Sequence, residues 1–180
     1  MGTHRKALRT TAVGAVSATL VAGGVLGLAP AAQASDAVRF VDISGDGGTV
    51  LKANVITPAG ADGTHRYPLL VLPTSWGLPQ VEYLAQARRL ADSGYVVVSY
   101  NVRGFWQSGG EIEVAGPPDI ADASKVIDWA LANTPADSGH IGMGGVSYGA
   151  GISLLAAEHD KRIKAVAALS GWSDLIGSIY

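Results

Sequence analysis

The sequence predicts an α/β fold, built as a mostly parallel sheet with helices on both faces. Three observations carry this expectation. A segment of period two around residue 50 opens the fold as a hairpin strand. After it, short apolar runs alternate with stretches whose apolar residues recur at helical spacing, the rhythm of strand–helix units. The apolar run Ile141–Val146 then leads into a glycine-flanked serine, with small residues opening a helix behind it. Right-handed crossovers put helices on both faces of such a sheet and collect reactive groups at the carboxyl ends of its strands.

Residues 1–34 read as an export signal rather than as fold. Arg5, Lys6 and Arg9 form a cationic start, an uncharged Gly/Ala/Val/Leu stretch follows, and Ala32-Gln33-Ala34 supplies a small-x-small cleavage site. Cleavage after Ala34 leaves residues 35–180 as one secreted domain without stable membrane association. Three of the 13 basic side chains and none of the 15 acidic ones lie in the signal, so the remainder carries ten basic and fifteen acidic groups, a formal charge of −5. That balance, without any basic cluster, argues against nucleic-acid binding. The chain has no cysteine, which excludes disulfides, thiol catalysis and thiolate-bound metals.

The elements follow in order. Leu51, Ala53 and Val55 alternate with Lys52 and Asn54 as a half-buried strand, with Val38–Ile43 its hairpin partner across the Asp46-Gly47-Gly48 turn. Tyr67–Leu72 is an apolar strand closed by Pro73. Val81, Leu84, Ala87, Leu90 and Ala91 mark a helix ended by Gly94, and Tyr95–Tyr100 is a strand covered on both faces. Ile120, Ala123, Ile127, Ala130 and Leu131 mark the next helix, with Asp119 as its expected cap. Strand Ile141–Val146, helix Tyr148–Ala157 and strand Ile163–Leu169 complete the series.

Gly145-Val146-Ser147-Tyr148-Gly149 has the G-x-S-x-G form of a nucleophile elbow, a sharp strand-to-helix turn that exposes a serine Oγ. The glycines are required because a side chain at either would strike the neighbouring strand or helix. Ser147 is the expected nucleophile, and the Tyr148 amide, at a helix N-terminus, an expected oxyanion donor. The loop Pro73-Thr74-Ser75-Trp76-Gly77 follows the third strand, where such folds supply a second donor; the amide of Trp76 or Ser75 is the candidate, with the Trp76 indole a further option and plain pocket-wall packing the alternative. Arg103, in the loop after the fourth strand, is expected to hold that loop by charge-assisted hydrogen bonds. Gly142, Gly144 and Gly145 fail the G-x-G-x-x-G spacing, so no nucleotide cofactor is expected.

A serine nucleophile needs a base, usually a histidine oriented by a carboxylate. His4 lies in the signal, and His65 and His140 precede their strands at the amino edge. His159 lies 12 residues beyond Ser147 in the sequence, about 18 Å along a helix. None can serve. Asp174 reads as a rim or capping residue, less readily as a triad acid. In this arrangement the acid and then the base follow the nucleophile. Both are therefore expected beyond residue 180, with the sheet ending after about its sixth strand and residues 35–180 inactive alone.

Arg103-Gly104 with Ser108 and Gly110, in the pattern R-G-x-x-x-S-x-G, and the G-V-S-Y-G of Gly145–Gly149 resemble the X-prolyl dipeptidyl aminopeptidase/cocaine esterase-like family of α/β-hydrolases. Leu69–Gly77, Gly94–Gly110, Asp119–Trp129 and Gly142–Gly151 share in the resemblance, which covers the N-terminal part of such an enzyme. It implies a serine hydrolase acting on a small peptide or ester without a cofactor, with Ser147 as nucleophile and the Tyr148 amide as oxyanion donor. Family members often place a tyrosine donor where this chain has Ser75-Trp76. A naturally short, non-catalytic hydrolase-like protein that binds a peptide or acyl ligand is the alternative.

Overall fold

A computed structural model describes residues 38–172 and Gly177. The signal segment and Asp174 lie outside them. Among the described residues six strands form one sheet: β1 (Arg39–Ser44), β2 (Val50–Ile56), β3 (Tyr67–Pro73), β4 (Val96–Tyr100), β5 (Ala136–Val146) and β6 (Ile163–Leu169). Their spatial order is β1-β2-β4-β3-β5-β6. β1 and β2 pair antiparallel, β2 and β4 likewise, and every other pair is parallel. The expected hairpin followed by a parallel sheet is thus present, and it is an α/β-hydrolase-type sheet.

The helices α1 (Leu84–Asp92), α2 (Pro117–Asn133) and α3 (Tyr148–His159) cover it. Alternation along β4 divides the interior into two cores. Val96, Val98 and Tyr100 join the large cluster that includes Val126, Ile127 and Ala130 of α2 and Ile152 and Ala156 of α3. Val97 turns the other way, to Ile56, Leu72 and the α1 residues Ala87 and Ala91. Each buried aliphatic side chain contributes about 1.5–3 kcal/mol, so the two-sided burial of β4 anchors the sheet's centre.

Several boundaries differ from the sequence reading: Val81, expected on the first helix, lies in the turn ahead of α1, and α3 runs two residues past Ala157 to His159. The expected cap Asp119 is not a cap: α2 starts at Pro117 behind Gly116, and Asp119 is a fully buried residue of the first turn. Proline suits the first helical positions because its missing N–H would have had no partner there. β5 starts five residues before Ile141, since Ala136 and Asp137 pair with Tyr67 and Pro68 before a register shift, in a stretch with no apolar period to announce it. No described helix is long and apolar enough to cross a membrane.

Among the described residues β6 is an edge strand, and Ala165, Ala167, Ala168 and Leu169 on it are exposed. An open, largely apolar cleft of about 460 Å³ lies beside it, against Leu70, Leu90, Tyr95 and Met143. That cleft flanks the middle of β5, from His140 to Met143, and Ser147 is not among its lining residues.

Candidate functional site

Ser147 stands at the junction of β5 and α3 with φ 54° and ψ −115°. A non-glycine residue in this region is strained by about 1–3 kcal/mol and persists only where its surroundings enforce it. The surroundings here are specific. A Cβ on Gly145 would lie 2.7 Å from the Gly149 carbonyl carbon, and one on Gly149 would overlap the Pro73 carbonyl oxygen. The turn therefore closes only because both positions are glycine, the collision expected from the sequence spacing. Ser147 N–H donates to the Leu169 carbonyl at 2.8 Å, which fastens the turn to the end of β6. Gly149→Ala is accordingly expected to destabilise the chain by about 3 kcal/mol through overpacking at this contact. A denaturant midpoint measured against Gly139→Ala, on the exposed β5 stem, checks it.

Two networks clamp the residues on either side of Ser147. Upstream, Val146 N–H donates to Tyr83 Oη at 3.0 Å, and the Ser75 hydroxyl lies 3.0 Å from the Val146 carbonyl oxygen and 2.6 Å from Glu82 Oε1. Burial pushes the Tyr83 phenol above its ordinary range. Downstream, Tyr148 Oη donates to Asp119 Oδ2 at 2.8 Å and accepts from Ala115 N–H at 2.7 Å. Burial raises the Tyr148 phenol as well, and it pushes the Asp119 carboxyl up to about 6. The Tyr148 and Arg103 contacts pull Asp119 back down without cancelling its desolvation.

The two candidate oxyanion donors differ in surroundings. Tyr148 is buried at the start of α3, and its amide meets no protein acceptor among the described residues. Trp76 is 50% exposed on the loop after β3, and its amide likewise has no protein acceptor there. The Ser75 amide is engaged, donating to Glu82 Oε2 at 2.8 Å, which leaves Trp76 as the available amide of that loop. The Trp76 ring packs edge-on against Tyr148 at 5.1 Å and Phe105 at 5.0 Å between centroids, and Trp172 stacks on Tyr148 at 6.1 Å. An aromatic wall thus borders the elbow.

Arg103 holds its loop as expected. Its Nε and Nη2 donate to Asp122 Oδ2 and Oδ1, both at 2.8 Å, and Asp122 also accepts the Asp46 N–H at 2.7 Å. One buried carboxylate therefore joins the β4 loop, the β1–β2 turn and α2. Asp122 raises Arg103 above its ordinary value.

The described histidines all lie elsewhere. His65 packs on Tyr67, His140 contacts Asp137 low on β5, and His159, the last residue of α3, lies 2.9 Å from the Leu155 carbonyl. Among the described residues no group of three His, Asp or Glu side chains could hold a metal ion. The sequence reading missed Ser75, Glu82, Tyr83, Asp119 and Asp122 as supports of the site. For Asp119 a signal existed: Pro117-Pro118 marks the helix start two residues early and moves the aspartate inside.

Comparison with known proteins places this geometry. A family model described as X-Pro dipeptidyl-peptidase (S15 family) matches residues 46–180. The uncharacterised protein YcjY of Escherichia coli K12 is 34% identical over 133 residues, which are 72% of this chain and 43% of its own length. The crystal structure of PA2218 from Pseudomonas aeruginosa aligns at TM-score 0.67 and 23% identity, over 77% of this chain and 43% of that one. A Pyrococcus furiosus esterase aligns at TM-score 0.62 and 23% identity, over 75% and 52% respectively. At such identities these structures speak for the fold alone. The chain spans less than half the length of the curated relatives it matches. A match over three quarters of the sequence is sufficient for family: the chain belongs to the X-Pro dipeptidyl-peptidase (S15) family of hydrolases.

Proposed function

We propose that this chain carries the nucleophile of an exported serine hydrolase that cleaves an ester or the amide after a proline through an acyl-enzyme. The observation that carries the reading is the strained Ser147 backbone, held between Gly145 and Gly149 at contacts only glycine allows. Ser147 Oγ attacks the substrate carbonyl, and the oxyanion is received by the amides of Tyr148 and Trp76. The Oγ proton passes to a histidine, which returns it to the departing alcohol or amine; water then releases the acyl group by the reverse route. That histidine and its carboxylate belong, in this reading, to sequence beyond residue 180.

The placement of His65, His140 and His159 favours a second reading, a non-catalytic protein that binds a peptide or acyl ligand at the same edge. Hydrolysis of p-nitrophenyl acetate and Gly-Pro-p-nitroanilide by a form extended past residue 180 separates the two. Turnover that disappears in Ser147→Ala supports the hydrolase; binding of a product dipeptide with no turnover supports the second reading.

Export is part of the proposal. The secreted form is expected to begin at Ser35, after removal of residues 1–34. N-terminal sequencing of protein from the culture medium checks this, and a start at Met1 or retention with the membranes counts against it.

A further inference from the structure

We propose that Asp119 is a positioning residue for the elbow, acting through Tyr148 to hold both the oxyanion-donor turn and the strained rim at residues 113–116. The proposal rests on the reading of Ser147 as nucleophile. Its geometry is a three-part chain. Asp119, in the first turn of α2, is fully buried and accepts from Tyr148 Oη; Tyr148 Oη in turn accepts from Ala115 N–H. Tyr148 is the residue directly after Ser147, so its ring and its amide are fixed together.

The rim itself needs holding. Val114 and Ala115 have φ 51° and 59°, and a β-branched residue in the left-handed region is a genuine outlier that relaxes unless its surroundings enforce it. The hydrogen bond from Ala115 to Tyr148 Oη is a constraint of that kind. Val114 is exposed beside it, at the edge where substrate would enter.

Energetics separate this role from simple fold support. The groups facing Asp119 are Tyr148 of α3, Tyr100 of β4, Arg103 of the following loop and Asp122 one turn along α2. Its Oδ1 has no partner among the described residues. A folded carboxyl that binds its proton more tightly than an unfolded one adds stability as pH falls through about 6 and withdraws it as pH rises. At pH 7 the Asp119 charge is therefore carried at a cost to the fold that its protonated form would not have.

The test uses the full chain with Asp119→Asn, Asp119→Ala, Tyr148→Phe and the double variant Asp119→Ala/Tyr148→Phe. The readouts are the rate of adduct formation at Ser147 with a fluorophosphonate, amide exchange at Ala115, and the denaturant midpoint at pH 7 and 5. Expected for Asp119→Asn is an unchanged or higher midpoint at pH 7, a smaller gain on acidification than the parent shows, and slower labelling of Ser147. Asp119→Ala and Tyr148→Phe should each slow labelling about tenfold, the worth of one hydrogen bond, and the double variant no further. Additive losses in the double variant, or unchanged labelling together with unchanged Ala115 exchange, overturn the proposal. If Ser147 in the parent chain takes no adduct, the nucleophile reading fails by itself. Ala115 exchange then decides: equal acceleration in the singles and the double supports the proposal, and no acceleration overturns it.

Discussion

Residues 35–180 alone are expected to hydrolyse p-nitrophenyl acetate and Gly-Pro-p-nitroanilide barely above background. The elbow holds Ser147 in place and the Tyr148 and Trp76 amides have no acceptor among the described residues, yet no described histidine lies at that edge to take the Oγ proton. Loss of the base in a serine hydrolase costs about 10⁶ in kcat, while the oxyanion donors and binding alone retain roughly 10³–10⁴ over water. A form extended past residue 180 that supplies a carboxylate and a histidine should recover most of that factor. Robust turnover by residues 35–180 that depends on Ser147 would contradict the absence of a base from this segment.

Asp122→Ala is expected to be the most damaging single change to stability. It leaves the Arg103 guanidinium, 9% exposed at its side chain, without its bidentate partner, and it removes the acceptor of the Asp46 N–H. Removing one member of a buried ion pair costs about 3–5 kcal/mol, because the remaining charge stays desolvated. The double change Arg103→Met/Asp122→Leu should lose far less, since no charge is then stranded. Urea unfolding of the three chains decides this. A loss below about 1 kcal/mol in Asp122→Ala would mean that water reaches Arg103 and the pair is a surface one.

What was legible in the sequence follows from how local each signal is. The elbow was readable because five consecutive residues and the strand before them carry the whole constraint, and Gly145 and Gly149 meet each other and Pro73 as the spacing required. The sheet was readable because β4 is apolar at every position but Ser99 and lies buried on both faces. Arg103 reads as a loop anchor from its own loop, but its partner Asp122 lies 19 residues away on α2, and no local pattern joins the two. An aspartate just before an apolar period reads as a cap, as Asp119 does; the two prolines ahead of it start the helix earlier and place it inside the first turn. The clamp of Ser75, Glu82 and Tyr83 on Val146 joins residues up to 71 apart, and no local pattern encodes such a meeting.

Ser147 acts as a hydrolase nucleophile only if its elbow stabilises an oxyanion beside it. The most direct measurement is to incubate the full chain with excess fluorophosphonate and map the adduct by mass spectrometry. The expected result is slow phosphonylation confined to Ser147, absent from Ser147→Ala and lost on denaturation before labelling. An adduct spread over surface hydroxyls, or one on Ser147 that forms equally fast in the unfolded chain, would contradict it.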